Sequence, residues 1–200
     1  MSQTRNNPVT EIHPMLAKRW SPRSFAAKRP VEHDKLLACL EAARWAPSCF
    51  GDEPWRFIVC DRNTDADAWQ KLLACLTPKN QEWAQHAPVL LLSCATTLFR
   101  NGKPNRWGQY DTGAAAISLC LQAEMMGLAT HQMGGFDSDA ARAAFGIPAD
   151  ITPIAAMALG YQGAAEALDE GFLNIELAER KRQPMGSCFF AGAWDKPVAG

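Results

Sequence analysis

Apolar residues recur along the chain in two patterns, one typical of helices and one typical of buried strands. An apolar stripe at helical spacing predicts a helix from Val31 to Ala46, which Pro47 ends. The segment from Tyr110 to Gly127 predicts the longest helix, and it is apolar on nearly every side. Such a helix must be buried on most sides, which favours a central position or a subunit interface.

Four apolar segments of strand length predict a sheet: Arg56–Cys60, Val89–Cys94, Leu128–Met133 and Ile151–Tyr161. Three shorter helices are predicted from Thr64, as the N-cap, to Leu76, over Gln81–His86, and from Asp137 or Ser138 to Phe145. The alternation of the two element types predicts a sheet sandwiched by helices.

The two ends of the chain lack this periodicity. Residues 1–30 contain four prolines and predict an arm with one short helix, whereas residues 162–200 predict a tail that must pack on something. Polar arms at both ends favour a dimer in which they wrap the partner. Because 200 residues show no repeat, low-complexity segment or linker, one domain is expected, with residues 1–11 as a flexible arm.

The composition limits the classes of function that the chain can have. The chain is 48% hydrophobic and 20% charged with a net charge of −1, which excludes a general nucleic-acid binder but leaves room for a local cationic pocket. Its seven cysteines include no C-x-x-C pair, which argues against a disulfide framework or a zinc site. They are expected to be small core residues in a reducing cytosol.

Several alternatives find no support in the sequence. The stretch Met1–Thr10 is polar and gives no secretory signal, and the apolar run around Val89–Leu92 is too short to span a membrane. A cytoplasmic protein is therefore expected. The four histidines show no His-x-x-x-His spacing, so no metal site is expected. Phosphate-loop, dinucleotide-binding and nucleophile-elbow glycine motifs do not occur.

The segment Arg19-Trp20-Ser21-Pro22-Arg23 carries the most distinctive chemistry. Two guanidinium groups four residues apart, with a hydroxyl between them, could converge on one phosphate, since the arginine fork binds phosphate through two hydrogen bonds. The alternative is a solvated basic patch, because Lys18, Lys28 and Arg29 lie nearby.

Three further segments combine turn or charge signals with a position beside predicted elements: the loop Ala46–Trp55, the turn Gln132–Phe136 and the basic cluster Arg180–Pro184. Loops held by rigid elements often carry ligand sites, and paired glycines allow close approach to a flat ligand. Taken singly, each segment also fits an ordinary connection, a simple turn or a solvated charge run.

Together and in this order, the four segments resemble the FMN-dependent nitroreductase family over roughly residues 12–190. Arg19–Phe25 resembles its N-terminal phosphate motif, and Ala46–Phe57 resembles its Ala-Pro-Ser…Gln-Pro-Trp-x-Phe signature. Tyr110–Phe136 is similar to its central helix and Gly-Gly turn. Arg180–Met185 is similar to the C-terminal segment that returns to the FMN phosphate.

The resemblance implies an α+β fold, in which a mostly antiparallel central sheet is flanked by helices. It also implies a homodimer with a domain-swapped C-terminal arm, residues 162–200, and two FMN sites at the interface. The phosphate and ribityl end of FMN would be bound by Arg19, Trp20, Ser21, Arg23, Arg180 and Arg182. The ring would be bordered by Pro47, Ser48, Cys49, Gln109, Met133, Gly134 and Gly135.

The implied activity is ping-pong hydride transfer from NADH or NADPH, through FMN, to a nitroaromatic, quinone or similar flat acceptor. No catalytic side chain is expected, because the cofactor carries the chemistry. Gly51 and Glu53 depart from the family, which often has Asn and Gln there. Either a backbone group or the amide of Gln109 or Asn105 replaces the Asn, or ring binding is weaker. Enone reduction, dehydrogenation, a flavin-destroying reaction and a non-catalytic flavin-binding protein stay open as alternatives.

Overall fold

The computed structural model describes residues 8–198, which form seven α-helices and four β-strands. The helices are α1 (Pro14–Lys18), α2 (His33–Arg44), α3 (Ala66–Cys75), α4 (Pro78–Ala84), α5 (Gly108–Met125), α6 (Ser138–Phe145) and α7 (Glu170–Leu177). The strands are β1 (Trp55–Asp61), β2 (Val89–Thr96), β3 (Ala129–Met133) and β4 (Ile151–Gly160). The predicted arm, residues 1–11, and the polar stretch Met1–Thr10 lie mostly outside the described residues.

The strands form one sheet in the order β1-β2-β4-β3, and every neighbouring pair is antiparallel. Strand β4 therefore lies between β2 and β3, and β3 is an edge strand. A register shift between Ser93 and Cys94 interrupts the pairing of β2 with β4. The predicted α+β fold with an antiparallel sheet is confirmed.

Helices cover both faces of the sheet, and alternation along β2 shows why. Val89 and Leu91 pack with α2 and α5, whereas Leu90 and Leu92 join a second core with α3, α4, α6 and α7. A strand buried on both faces admits few polar residues, which explains the continuous apolar run at Val89–Leu92. Because α5 packs against both α2 and the sheet, eight of its residues are buried.

Three details of the sequence prediction were wrong. The N-cap of α3 is Asp65, whose side chain accepts the N–H of Ala68, and not Thr64. Helix α4 begins at Pro78, three residues before the predicted turn. The tail contains α7, whose first turn is capped by the Asp169 carboxylate accepting the Phe172 N–H.

All seven cysteines are free thiols. Five are buried, Cys49 is half-buried and Cys188 is exposed, so most act as the small core residues predicted. Burial raises the pKa of Cys39, Cys60 and Cys94 to about 11, which keeps these thiols protonated and unreactive. Across residues 8–198, no helix is both long enough and apolar enough to cross a membrane.

Candidate functional site

The Arg19–Arg23 segment leaves α1 and runs beside the edge strand β3. His131 of β3 is the contact between them: its Nδ1 lies 3.0 Å from the Pro22 carbonyl oxygen. A carbonyl only accepts, so Nδ1 must carry the proton. Burial, together with the nearby charges of Arg23 and Arg19, lowers the pKa of His131 to about 4. The imidazole is therefore neutral at pH 7, in surroundings that already hold two cations.

The C-terminal tail brings a third cation to this segment. Arg180 donates from Nη1 to the Arg19 carbonyl oxygen at 2.5 Å and from Nη2 to the Ala17 carbonyl oxygen at 2.9 Å. Burial lowers the pKa of Arg180, and repulsion from Arg19 and Arg182 lowers it further. Arg180 thus lies close enough to Arg19 and Arg182 for their positive charges to repel its own.

Helix α7 holds Arg23 at two points. The Glu176 carboxylate accepts the Arg23 N–H at 3.2 and 2.9 Å, one distance to each oxygen. The Arg23 guanidinium lies 5.9 Å from the ring centroid of Phe172, one turn earlier on the same helix. Backbone and side chain of Arg23 are therefore both positioned by α7, an element the sequence prediction lacked.

The loop from Pro47 to Glu53 is fixed at the start of α5. The buried Asp111 carboxylate accepts the Cys49 N–H at 3.0 Å, and the Ser48 hydroxyl accepts the Glu53 N–H at 3.0 Å. Phe50 and Glu53 have φ angles of 56° and 53°, flanking Gly51 at 63°. Left-handed conformations at non-glycine residues cost energy and are often found at ligand sites.

A second loop braces this one. The Arg100 N–H donates to the Asp52 carboxylate at 3.1 Å, and its guanidinium donates to the Gly51 carbonyl at 3.2 Å. The same guanidinium lies 3.8 Å from the Glu53 carboxylate. Asp52 and Glu53 are thus drawn to Arg100, so part of the negative charge that the sequence places in this loop is offset locally.

The Gly134-Gly135 turn follows β3 directly, and its two glycines differ. A Cβ on Gly135 would lie 2.7 Å from Asn80 Nδ2, so this glycine permits close packing on α4. A Cβ on Gly134 would meet nothing within 4 Å, and the residue is exposed. Met133, which the resemblance places at the border of the ring, is buried in the core, so its side chain packs inside the protein.

Apart from the turn after β3, the predicted site residues fall into two groups, one at each end of α5. Asp111, at its start, holds the Pro47–Glu53 loop, and exposed Gln109 lies beside it. Glu124, near its end, pairs with Lys18 at 3.0 Å, next to Arg19. Thirteen residues of helix separate these points, a rise of about 20 Å. Within the described chain, Arg19, Ser21, Arg23 and Arg180 lie together, and the Pro47–Glu53 loop lies apart from them.

Sequence reasoning missed Glu176, Asp111 and Arg100, and it treated His131 only as one of four histidines at which no metal site is expected. Asp111 and Glu176 act on backbone N–H groups far away in sequence, a role that leaves no local signal. Arg182 had been expected at the phosphate together with Arg180. It is exposed and donates to the Lys181 carbonyl, while its charge still acts on Arg180.

Sequence similarity assigns the chain to a known family. The family model described as Nitroreductase family matches residues 16–161. The chain belongs to the nitroreductase family. A protein from Mycolicibacterium smegmatis, described as an uncharacterized 15.4 kDa protein in the ask 5′ region, is 35% identical and aligns over 72% of this chain and 99% of its own. This nitroreductase-family chain is also 27% identical to an NADH dehydrogenase from Thermus thermophilus, over 77% of this chain and 88% of that one.

A solved structure extends the likeness beyond the matched region. A crystal structure described as an oxidoreductase containing FMN superposes with a TM-score of 0.89 at 31% identity, covering 97% of this chain and 98% of that one. The similarity therefore includes the C-terminal segment that carries α7 and Arg180, which lies outside residues 16–161.

Proposed function

We propose that this nitroreductase-family protein is an FMN-dependent oxidoreductase that takes a hydride from NADH or NADPH and passes it to a flat acceptor such as a nitroaromatic or a quinone. Bound FMN would supply the hydride-carrying ring, and the protein would position it. The FMN content of the structural neighbour and the name of the Thermus relative support the cofactor and the electron donor.

The observation that carries the proposal is the arginine cluster. In this cluster of Arg19, Arg180 and Arg182, Arg180 donates to the carbonyl oxygens of Ala17 and Arg19. Burial, followed by repulsion from Arg19 and Arg182, lowers the pKa of its guanidinium. A phosphate dianion would turn this repulsion into attraction, and its oxygens suit guanidinium donors. The half-buried Ser21 would add a neutral donor and Arg23 a further guanidinium at the phosphate, and Trp20 would border the ribityl end. The donor set therefore fits the phosphate end of FMN.

The ring end would be completed by a second protomer. Since the Pro47–Glu53 loop and the arginine cluster lie at opposite ends of α5, a homodimer would bring the loop of one chain to the cluster of the other. Large apolar side chains are exposed on this side of the sheet: Leu37, Trp45, Tyr110, Ile117 and Met125. A second copy would cover them, with the tail from residue 162 wrapping it.

In that dimer, Pro47, Ser48 and Cys49 would line the ring with Gln109. Gly134 and Gly135 would present backbone groups at its reactive edge, next to the buried Met133. Two aromatic residues are accessible for stacking on a flat acceptor, Trp107 at 38% exposure and the half-buried Phe136. Trp55 is buried at 8% and joins the core instead.

Anaerobic mixing tests the activity. Purified protein loaded with FMN should lose its flavin absorbance on adding NADH or NADPH and regain it on adding a quinone or nitroaromatic. Flavin that binds but stays oxidised with both donors would favour a non-catalytic flavin-binding protein, which Gly51 and Glu53 keep as the second candidate. Products of the acceptor reaction would distinguish quinone or nitro reduction from enone reduction, dehydrogenation or flavin breakdown.

A further inference from the structure

Two side chains from distant parts of the chain, the buried Glu176 and the half-buried His131, hold the backbone of the Arg19–Arg23 segment. Glu176 is fully buried at 0% exposure, and besides the Arg23 N–H it accepts the Ser24 N–H at 3.3 Å. His131 donates to the Pro22 carbonyl at 3.0 Å. Three consecutive residues, Pro22 to Ser24, are thus fixed through their backbone.

The carboxylate of Glu176 suits this task better than a neutral group. Adjacent N–H groups that bind one anion must point the same way, and hydrogen bonds to a charged acceptor are stronger than neutral ones. Phe172 and Glu176 are four residues apart on α7, so they lie on one face of the helix. That face grips the guanidinium and the N–H of Arg23 together.

The charge of Glu176 also suits its position beside the Arg19–Arg23 segment. A buried carboxylate is costly unless hydrogen bonds or cations compensate it. Here it lies against the segment that carries Arg19 and Arg23, and these two cations also depress the pKa of His131. Glu176 therefore provides a fixed negative charge behind the cationic segment, on the side of its backbone N–H groups.

We infer that Glu176 is a positioning residue that, with His131, sets the Arg19–Arg23 segment in its phosphate-binding conformation and so lets the protein prefer FMN over riboflavin. The inference rests on the proposed FMN function. Ser24 contributes to the same arrangement, since its hydroxyl donates to the Ala164 carbonyl at 2.5 Å and ties the segment to the start of the tail.

The test compares FMN and riboflavin binding, measured by quenching of flavin fluorescence, in wild type and in Glu176→Gln. Glutamine keeps the shape but loses the charge and turns one acceptor into a donor. The Kd for FMN should rise on the order of 10- to 100-fold, while the Kd for riboflavin stays within about twofold. Glu170→Gln, an exposed change of equal charge on the same helix, should bind both flavins as wild type does.

His131→Phe provides an independent variant, because it keeps a ring against Trp83, 4.5 Å away, but loses the bond to Pro22. Its FMN Kd should rise about two- to tenfold, again without change for riboflavin. It decides the matter if Glu176→Gln does not fold.

Wild-type FMN affinity in the variants, or equal losses for both flavins, would overturn this inference alone. Wild-type protein that does not bind FMN would overturn the proposed function and the inference together.

Discussion

At the residue scale, the site is held by groups that act on the backbone. Arg180 binds two carbonyl oxygens, Asp111 binds the Cys49 N–H, and Ser48 binds the Glu53 N–H. Side chains used in this way fix the loops that the motifs occupy. The sequence could single out the motif residues as candidates for a phosphate site, because arginines and hydroxyls at short spacing have a recognisable chemistry. Their supports could not, since a buried acid far away in sequence carries no such pattern.

His131 makes the stability of the fold depend on pH. Its pKa is depressed from the ordinary value of 6.5 to about 4 in the folded chain, so the folded state favours the neutral ring. The stabilisation is complete above pH 6.5 and is lost as the pH falls from about 6.5 toward 4, by roughly 2–3 kcal/mol.

Urea unfolding at pH 7.5 and pH 4.5 measures this loss. The difference between the two pH values should be smaller in His131→Phe than in wild type. His33→Asn, at the exposed first residue of α2, should behave as wild type does. An equal pH effect in His131→Phe and wild type would contradict the assigned burial of this histidine.

At the element scale, apolar segments predicted all four strands. The clearest of them is β2, because a strand buried on both faces admits few polar residues. Their order β1-β2-β4-β3 does not follow from periodicity, since it depends on which edges pair. Helix α7 was missed because its eight residues include Gly171 and show little regular spacing. It is stabilised by tertiary contacts, with Phe172 in the core and Glu176 on the Arg23–Ser24 backbone.

The start of α5 depends on a close approach to β2. A Cβ on Gly108 would lie 2.4 Å from the Thr96 carbonyl oxygen, and a backbone atom cannot move aside easily. Gly108→Ala should therefore lower the free energy of unfolding by about 1–3 kcal/mol and disturb the adjoining Asp111 contact to the Pro47–Glu53 loop.

Chemical denaturation checks this, with Gly171→Ala in α7 as the matched control. There the new Cβ would meet only Asp169 Oδ1 at 3.5 Å, an ordinary contact, so the change should be neutral or stabilising by up to about 1 kcal/mol. A Gly108→Ala protein as stable as wild type would mean that α5 and β2 are less closely packed than described.

At the scale of the whole molecule, the proposed FMN site requires two chains. Tyr110, Gly113 and Ile117 form one exposed row along α5, and exposed apolar rows of this kind usually mark an interface. Sedimentation should give a mass of twice 21.9 kDa. Ile117→Glu should yield monomers that lose FMN, because each site would lack the partner's loop.

Ala74→Glu, at an exposed position of α3 on the opposite face of the sheet, serves as the control and should remain dimeric with FMN bound. If Ile117→Glu became monomeric yet retained FMN at wild-type affinity, the site would be complete within one chain and the division at the two ends of α5 would have no functional meaning.

The most direct test of the central claim, that the Arg19–Arg23 segment binds the phosphate of FMN, is a titration of Arg23→Ala with FMN and with riboflavin. Removing one charged hydrogen-bond donor should weaken FMN binding by roughly 1.5–3 kcal/mol and leave riboflavin binding unchanged. Lys28→Ala, an exposed cation five residues further along, should have no effect on either flavin. FMN affinity that is unchanged in Arg23→Ala would contradict the account.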